Sequence, residues 1–319
     1  MFQRCLMAAL IAGLPYSVVS ACEFCLVSQG ISPLQTLNGV GLRVNQRYTL
    51  LDEVYQGDRE ITNPGVSERF WTTELSGFYG VNDRLLLIAT LPVRKTEGVG
   101  DVSTGADGEI EVDTARGGDG GVGDMALMGR YTIFSLHTLT STTLLAASAG
   151  VKLPTGSTDG RNDAGDFLDA HIQLGTGSTD VLLGMSASHA IKRWNLSANV
   201  LAAVATEGEF GQARHQFGDS INYDVTAKFR LWPMAVGAAP VQWFVSLGVN
   251  GEWRGHEHEE RLRVADSGGH VLYLTPGLQV VIGSKWVLEA SFQQAVQHDL
   301  DGIQTGETYK ISGGITYLF

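Results

Sequence analysis

From Gly41 to the C-terminus, apolar and polar residues alternate with a period of two, the pattern of strands that keep one face apolar. The alternation predicts strands near 41–53, 69–81, 85–95, 122–134, 141–153, 171–190, 194–206, 220–232, 241–254, 270–283, 285–298 and 308–319. In 241–254, Trp243, Val245, Leu247, Val249 and Trp253 share one face, while Ser246, Gly248, Asn250 and Glu252 share the other. In 220–232, Tyr223, Val225, Ala227, Phe229 and Leu231 oppose Asn222, Asp224, Thr226, Lys228 and Arg230. A slip of one residue would carry the charges onto the apolar face, so the register is firmly set. One region breaks parity: Leu168 to Leu174 does not match Val181 to Ala187, which predicts a β-bulge at Gly175 to Thr179.

The joins alternate in length. Those at Asn82-Asp83, 135–139, 191–193, 233–240 and 283–284 are short; those at 54–68, 96–121, 154–170, 207–219, 255–269 and 299–307 are longer and polar. Short turns on one side, long loops on the other and an even strand number define the predicted class: an all-β, antiparallel up-and-down transmembrane β-barrel of about twelve strands. Trp71, Tyr79, Tyr131, Trp194, Trp232, Trp243, Trp253 and Trp286 fall near predicted strand ends, where interfacial girdles belong. The final segment places Tyr309, Ile311, Ile315, Tyr317 and Phe319 on one face. Its ending resembles the C-terminal signature of bacterial outer-membrane barrels. The resemblance implies that this strand closes the barrel and that Tyr317 and Phe319 are read by the barrel-assembly machinery.

Residues 1–21 combine Arg4, an apolar stretch from Leu6 to Val19 and the small-residue ending Val19-Ser20-Ala21, which reads as a secretory signal peptide. No other stretch approaches the length of an apolar spanning helix. A closed barrel still satisfies every backbone group in lipid, so an exported chain of this kind is expected in the bacterial outer membrane, in contact with its lipid. Residues 22–39 lack alternation and form an N-terminal segment, periplasmic or folded into the lumen, ahead of a barrel at 40–319. In this segment Cys22 and Cys25 either form a disulfide, as an oxidising periplasm permits, or Cys22 carries a lipid.

The whole chain carries a formal charge of −12, which becomes −13 without Arg4 of the signal. An acidic chain without a basic stripe excludes nucleic acid as a partner. Parity sends Arg43, Arg47, Arg130, Lys228 and Arg230 to the lumen with Glu74, Asp224, Glu252 and Glu289. Such residues either line a selective pore or brace the wall as ion pairs, with Arg47–Glu74 and Lys228–Glu252 as candidate partners. Neither the acidic loop 96–121 nor the run Gly255-His256-Glu257-His258-Glu259-Glu260 has the spacing of a metal site, and no cofactor is expected. Asp169 and His171 share a predicted inward face, but no nucleophile motif accompanies them, so the chain is not read as an enzyme.

Gly121-Val122-Gly123-Asp124 through Tyr131, then Val151-Lys152-Leu153-Pro154-Thr155-Gly156 and Leu174-Gly175-Thr176-Gly177-Ser178, carry more than generic alternation. In this order they resemble the family of outer-membrane proteins assigned to transport in the phenol meta-cleavage pathway, over about residues 120–206. The resemblance implies a barrel that passes small solutes, hydrophobic or aromatic ones among them. The Cys22–Cys25 start is not part of that pattern. It leaves a second expectation open: a structural barrel that docks or surrounds another envelope component, through a periplasmic protein partner bound at this segment.

Overall fold

The computed structural model describes residues 39–104, 109–165, 167–210, 213–234 and 240–319. The segment expected to be a signal peptide, Cys22, Cys25 and the rest of the N-terminal segment to residue 38 lie outside the described residues. β1 (Val40–Gln56) and the short β2 (Arg59–Ile61) lead into β3 (Ser67–Gly80), β4 (Leu85–Thr104) and β5 (Ile110–Val122). β6 (Met125–His137), β7 (Ser141–Leu153), β8 (Asp180–Ile191) and β9 (Trp194–Val204) follow. The short β10 (Gly208–Phe210) and β11 (Ala213–Gln216) precede β12 (Ser220–Trp232) and β13 (Val241–Arg254). Two-residue β14 (His258–Glu259) and β15 (Leu262–Arg263) precede β16 (Gly269–Ile282), β17 (Trp286–Leu300) and β18 (Ile303–Leu318).

Twelve of these strands form the wall, in the order β1, β3, β4, β6, β7, β8, β9, β12, β13, β16, β17 and β18, all antiparallel to their neighbours. β18 pairs back onto β1, with Tyr48 opposite Ile311 and Leu42 opposite Tyr317, so the twelve-stranded wall closes on itself. Phe319 N–H donates to Val40 C=O at 3.0 Å, which ties the end of the last wall strand to the start of the first at the periplasmic rim. Tyr317 packs its ring between Trp286 and Phe319, at 4.5 and 5.0 Å between centroids. On β13, Trp243 and Trp253 are both exposed on the outer face. Their ten-residue separation is about 33 Å along the strand, or about 25 Å along the membrane normal at a tilt near 40°, the height of an outer-membrane apolar band.

Three expectations from the sequence are corrected. The joins at 54–68, 96–121 and 299–307 are largely paired strand: β17 and β18 run on to the tight turn at Asp301-Gly302 with β1 paired beside β18 as far as Gln56, and β4 and β5 form a tall hairpin. Polar residues there read as loop because both faces meet water, where alternation is lost. Second, residues 171–179 are not strand, and β8 starts at Asp180. Third, the parity break at 175–179 is therefore no bulge: the chain has left the wall.

That segment, residues 154–179, forms a strap folded against the inner side of the β4–β5 hairpin. Gly98 and Gly117 make room for it, since a Cβ on either would collide with Ile172 or Leu168. Thr96 donates its hydroxyl to Ile172 C=O at 2.6 Å, and Gln173 is buried with its amide donating to Gly160 and Leu168 carbonyls. At its base the Asp124 carboxylate accepts from both the N–H and the hydroxyl of Thr176. Leu168, Ile172 and Leu174 are buried, so the strap is packed as a fixed part of the interior.

Candidate solute path through the lumen

The inward face of each strand supplies the path, and its charged residues are mostly engaged with one another. Arg47 meets Glu74 at 3.2 Å, and Asn45 donates to the same carboxylate. Arg43 meets Glu289 at 3.1 Å; Gln279 links that carboxylate to Lys228, whose ammonium donates to Gln279 Oε1 at 2.9 Å. The Lys228–Glu252 pairing expected from the sequence is not formed. Lys228 lies opposite Ser246 while Glu252 lies opposite Asn222, so the two stand at different heights in the barrel. Glu252 instead accepts from Lys310 at 2.6 Å, and Arg254 reaches Glu307 at 2.6 Å. Arg130 and Arg230 are buried, and donate to Ser186 at 3.2 Å and to Gln242 at 3.4 Å. Asp224 is buried and accepts from the Asn199 amide at 3.0 and 3.1 Å.

These walls enclose two adjoining chambers. The outer one, of about 520 Å³, has Phe70, Thr72, Pro92, Arg94, His171 and Leu174 in its lining. The inner one, of about 230 Å³, has Ser186, Asn199, Leu201, Asp224, Asn250 and Gln293 in its lining. Arg47, Asn222, Glu252 and Lys310 line both, so the chambers adjoin at these four side chains. Toward the periplasmic end the lumen changes character. Phe78, Leu86, Phe244, Val287 and Leu318 stand within a few residues of the periplasmic turns and belong to one buried apolar cluster, a collar shared on one side with the buried Arg230, which lies opposite Phe244.

Alternation alone did not single out Arg94, yet it stands over the Phe70 ring at 5.6 Å and donates to the carbonyls of Gln173 and Leu174. It therefore holds the strap to the wall; its inward parity with Pro92 and Thr90 was the available signal.

At the far end of the strap, His171 Nε2 meets Glu257 Oε1 at 3.2 Å, and His215 meets the other oxygen at 3.0 Å. The strap is thus tied to the loop after β13 and to β11, with Phe217 edge-on to both imidazoles. Burial opposes the charge on His171, but Glu257 outweighs it and raises the imidazole to about 10. Burial likewise opposes the Glu257 charge, and the two imidazoles hold its carboxyl well below the usual carboxylate range. His171 keeps 40% of its side-chain surface open, so water screens this pair and its effect is on strap position more than on global stability. Among the described residues the His171 imidazole meets Glu257 and Phe217 and no serine hydroxyl. His256 meets Asp301 at 3.3 Å, and among the described residues no group of three or more His, Cys, Asp or Glu is placed to hold a metal ion.

A closed twelve-stranded barrel with aromatic girdles, a polar lumen and its first strand starting at the rim where its last strand ends is a bacterial outer-membrane β-barrel. The chain belongs to the family described as "Putative MetA-pathway of phenol degradation", whose model matches residues 62–319. Among solved structures, an outer membrane channel from Pseudomonas putida F1 superimposes with a TM-score of 0.66 at 15% identity, covering 92% of this chain and 100% of that one. A monoaromatic hydrocarbon channel, CymD, gives a TM-score of 0.41 at 10% identity over 89% of this chain and 90% of that one. A FadL homologue from Pseudomonas aeruginosa gives 0.42 at 12% identity over 88% and 90%. The first likeness establishes the shared fold; the other two are too distant to add to it. No curated protein matches the sequence.

Proposed function

We propose that this protein is a passive outer-membrane channel for small solutes, with hydrophobic and aromatic compounds as its main class, and that it performs no chemistry on them. The observation that carries this reading is the succession along the lumen: a polar outer chamber, a smaller inner chamber and an apolar collar at the periplasmic exit. Apolar constrictions repel water and ions by dewetting, while a solute without charge crosses them at little cost. The lumen-lining residues Arg43, Arg47, Glu74, Arg130, Asp224, Lys228, Arg230, Glu252 and Glu289 then divide into bracing pairs and the few groups a solute meets. Family membership and the name of the Pseudomonas putida channel support transport.

The test is reconstitution into liposomes, with entry of toluene and of a sugar of similar size followed in parallel. Faster entry of toluene than in protein-free vesicles, with little sugar entry, is the expected result. Equal entry with and without protein would end the channel reading. It would favour a structural barrel instead, a role that the tightly packed collar also suits.

A further inference from the structure

We propose that Asp224, Asn199 and Asn250 form a subsite in the inner chamber for the donor head of a small amphipathic solute, an ammonium in preference to a hydroxyl. This deepens the channel reading and rests on it for the route by which a solute arrives. Asp224 is 5% exposed, and no cationic side chain among the described residues lies within ion-pairing distance of it. Among the described residues its two carboxylate oxygens accept only from Asn199 Nδ2, at 3.0 and 3.1 Å, which leaves acceptor capacity unused on both. The cations that share the chamber are engaged elsewhere: Arg47 with Glu74 at 3.2 Å and Lys310 with Glu252 at 2.6 Å. Across the β12–β13 pair, Asn250 stands directly opposite Asp224, and its buried Oδ1 has no hydrogen-bond donor.

A buried carboxylate without a cation beside an orphaned amide oxygen is an acceptor-rich site, and such groups are costly unless a donor reaches them. The chamber of about 230 Å³ adjoins the outer chamber at Asn222, Arg47, Glu252 and Lys310. Its other side is apolar. Leu201 lies two residues beyond Asn199 on the same face of β9, about 7 Å away along the strand, and packs against the apolar cluster. A head bonded to Asp224 therefore leaves a ring or short alkyl body against Leu201. An anionic head would face Asp224 without a free cation to offset it, and is disfavoured.

The probes are four molecules of one size: benzylamine, benzyl alcohol, toluene and benzoate. Thermal unfolding of the full-length protein in detergent at pH 7 reads binding without requiring conduction. Benzylamine should raise the transition most, benzyl alcohol less, and toluene and benzoate least. The isosteric Asp224→Asn should weaken benzylamine binding about tenfold or more, the loss expected for a hydrogen bond to a charged group. Asn250→Ala should weaken it less. Stabilisation by benzoate or toluene equal to that by benzylamine would overturn the proposal, as would benzylamine binding unchanged in Asp224→Asn. Toluene entry into liposomes is measured on the same preparations. Benzylamine stabilisation without toluene entry would remove the channel reading and keep the subsite, whereas toluene entry without benzylamine stabilisation would do the reverse.

Discussion

Arg43 on β1 and Glu289 on β17 meet at 3.1 Å across the intervening strand β18. They pass over Gly314, which lies opposite both Asn45 and Glu289 and has no side chain to block the contact. The pair thus spans the seam at which the barrel closes, with both partners largely buried. Removing one partner leaves a buried charge uncompensated, so Arg43→Ala should destabilise the barrel by about 3 kcal/mol. Arg43→Ala with Glu289→Gln should lose less than Arg43→Ala alone. The unfolding midpoint in urea with lipid vesicles measures both.

The strap makes a different prediction. Its packing depends on the bare backbone at Gly98 and Gly117, so Gly98→Leu should dislodge Ile172 and lift residues 167–174 away from the hairpin. The wall itself is unaffected, because β3 and β4 pair through their backbones. Hydrogen exchange should accelerate in the strap and remain slow in β4, and toluene entry should rise as the outer chamber widens. Unchanged exchange in the strap would show that its position does not rest on this contact.

The tie between strap and loop should follow pH in a calculable direction. The His171 imidazole is raised from 6.5 to about 10 in the folded protein, so its contribution is full below pH 6.5, declines above it and is gone beyond about 10. The Glu257 carboxyl is lowered from 4.5, so its contribution is full above pH 4.5 and declines as pH falls below it. The strap should therefore be held most firmly between about pH 4.5 and 6.5. The difference in strap protection between the wild-type protein and His171→Ala should be largest there and vanish above about pH 10. A difference independent of pH would mean that His171 acts through packing on Phe217 alone.

How far the sequence revealed this architecture depends on what each pattern encodes. Alternation reports which face a residue takes, and on β13 it separates Trp243, Val245 and Leu247 from Ser246 and Gly248 without ambiguity. It does not report height, which is why Lys228 and Glu252 were paired across a six-residue offset. Phe244 shows a second limit. It faces inward between Trp243 and Val245, so the three read as one apolar run and the collar stayed hidden. The strap registered only as a parity break, because its conformation is set by partners more than fifty residues away in sequence, on β4 and in the loop holding Glu257.

The collar itself is open to test. If the apolar layer at the periplasmic exit limits ions through dewetting, adding polarity there should raise conductance without changing the wall. Phe244 is fully buried in the layer, and Phe244→Ser both empties space and supplies a hydroxyl. Planar-bilayer recordings should show conductance several-fold above the wild-type value, with toluene entry changed much less. Loss of a large buried ring also costs stability, about 3–5 kcal/mol, so the variant is compared at a temperature where both proteins remain folded. Equal conductance would place the barrier to ions elsewhere, in the strap or the outer chamber.

Arg47 and Arg230 separate selectivity from bracing. Arg47 keeps 35% of its side-chain surface exposed and lines both chambers, whereas Arg230 is 1% exposed and donates to Gln242. A charge in the water-filled lumen acts on passing ions, while a buried one acts on its neighbours. In a salt gradient across a planar bilayer, Arg47→Gln should shift the reversal potential toward cations and leave the unfolding midpoint nearly unchanged. Arg230→Gln should lower the midpoint, as expected when a buried charged group and its partners lose their bonds, and should leave the reversal potential where it was. The opposite assignment of effects would mean that the lumen's selective groups lie at the periplasmic rim, beyond the chambers that Arg47 lines.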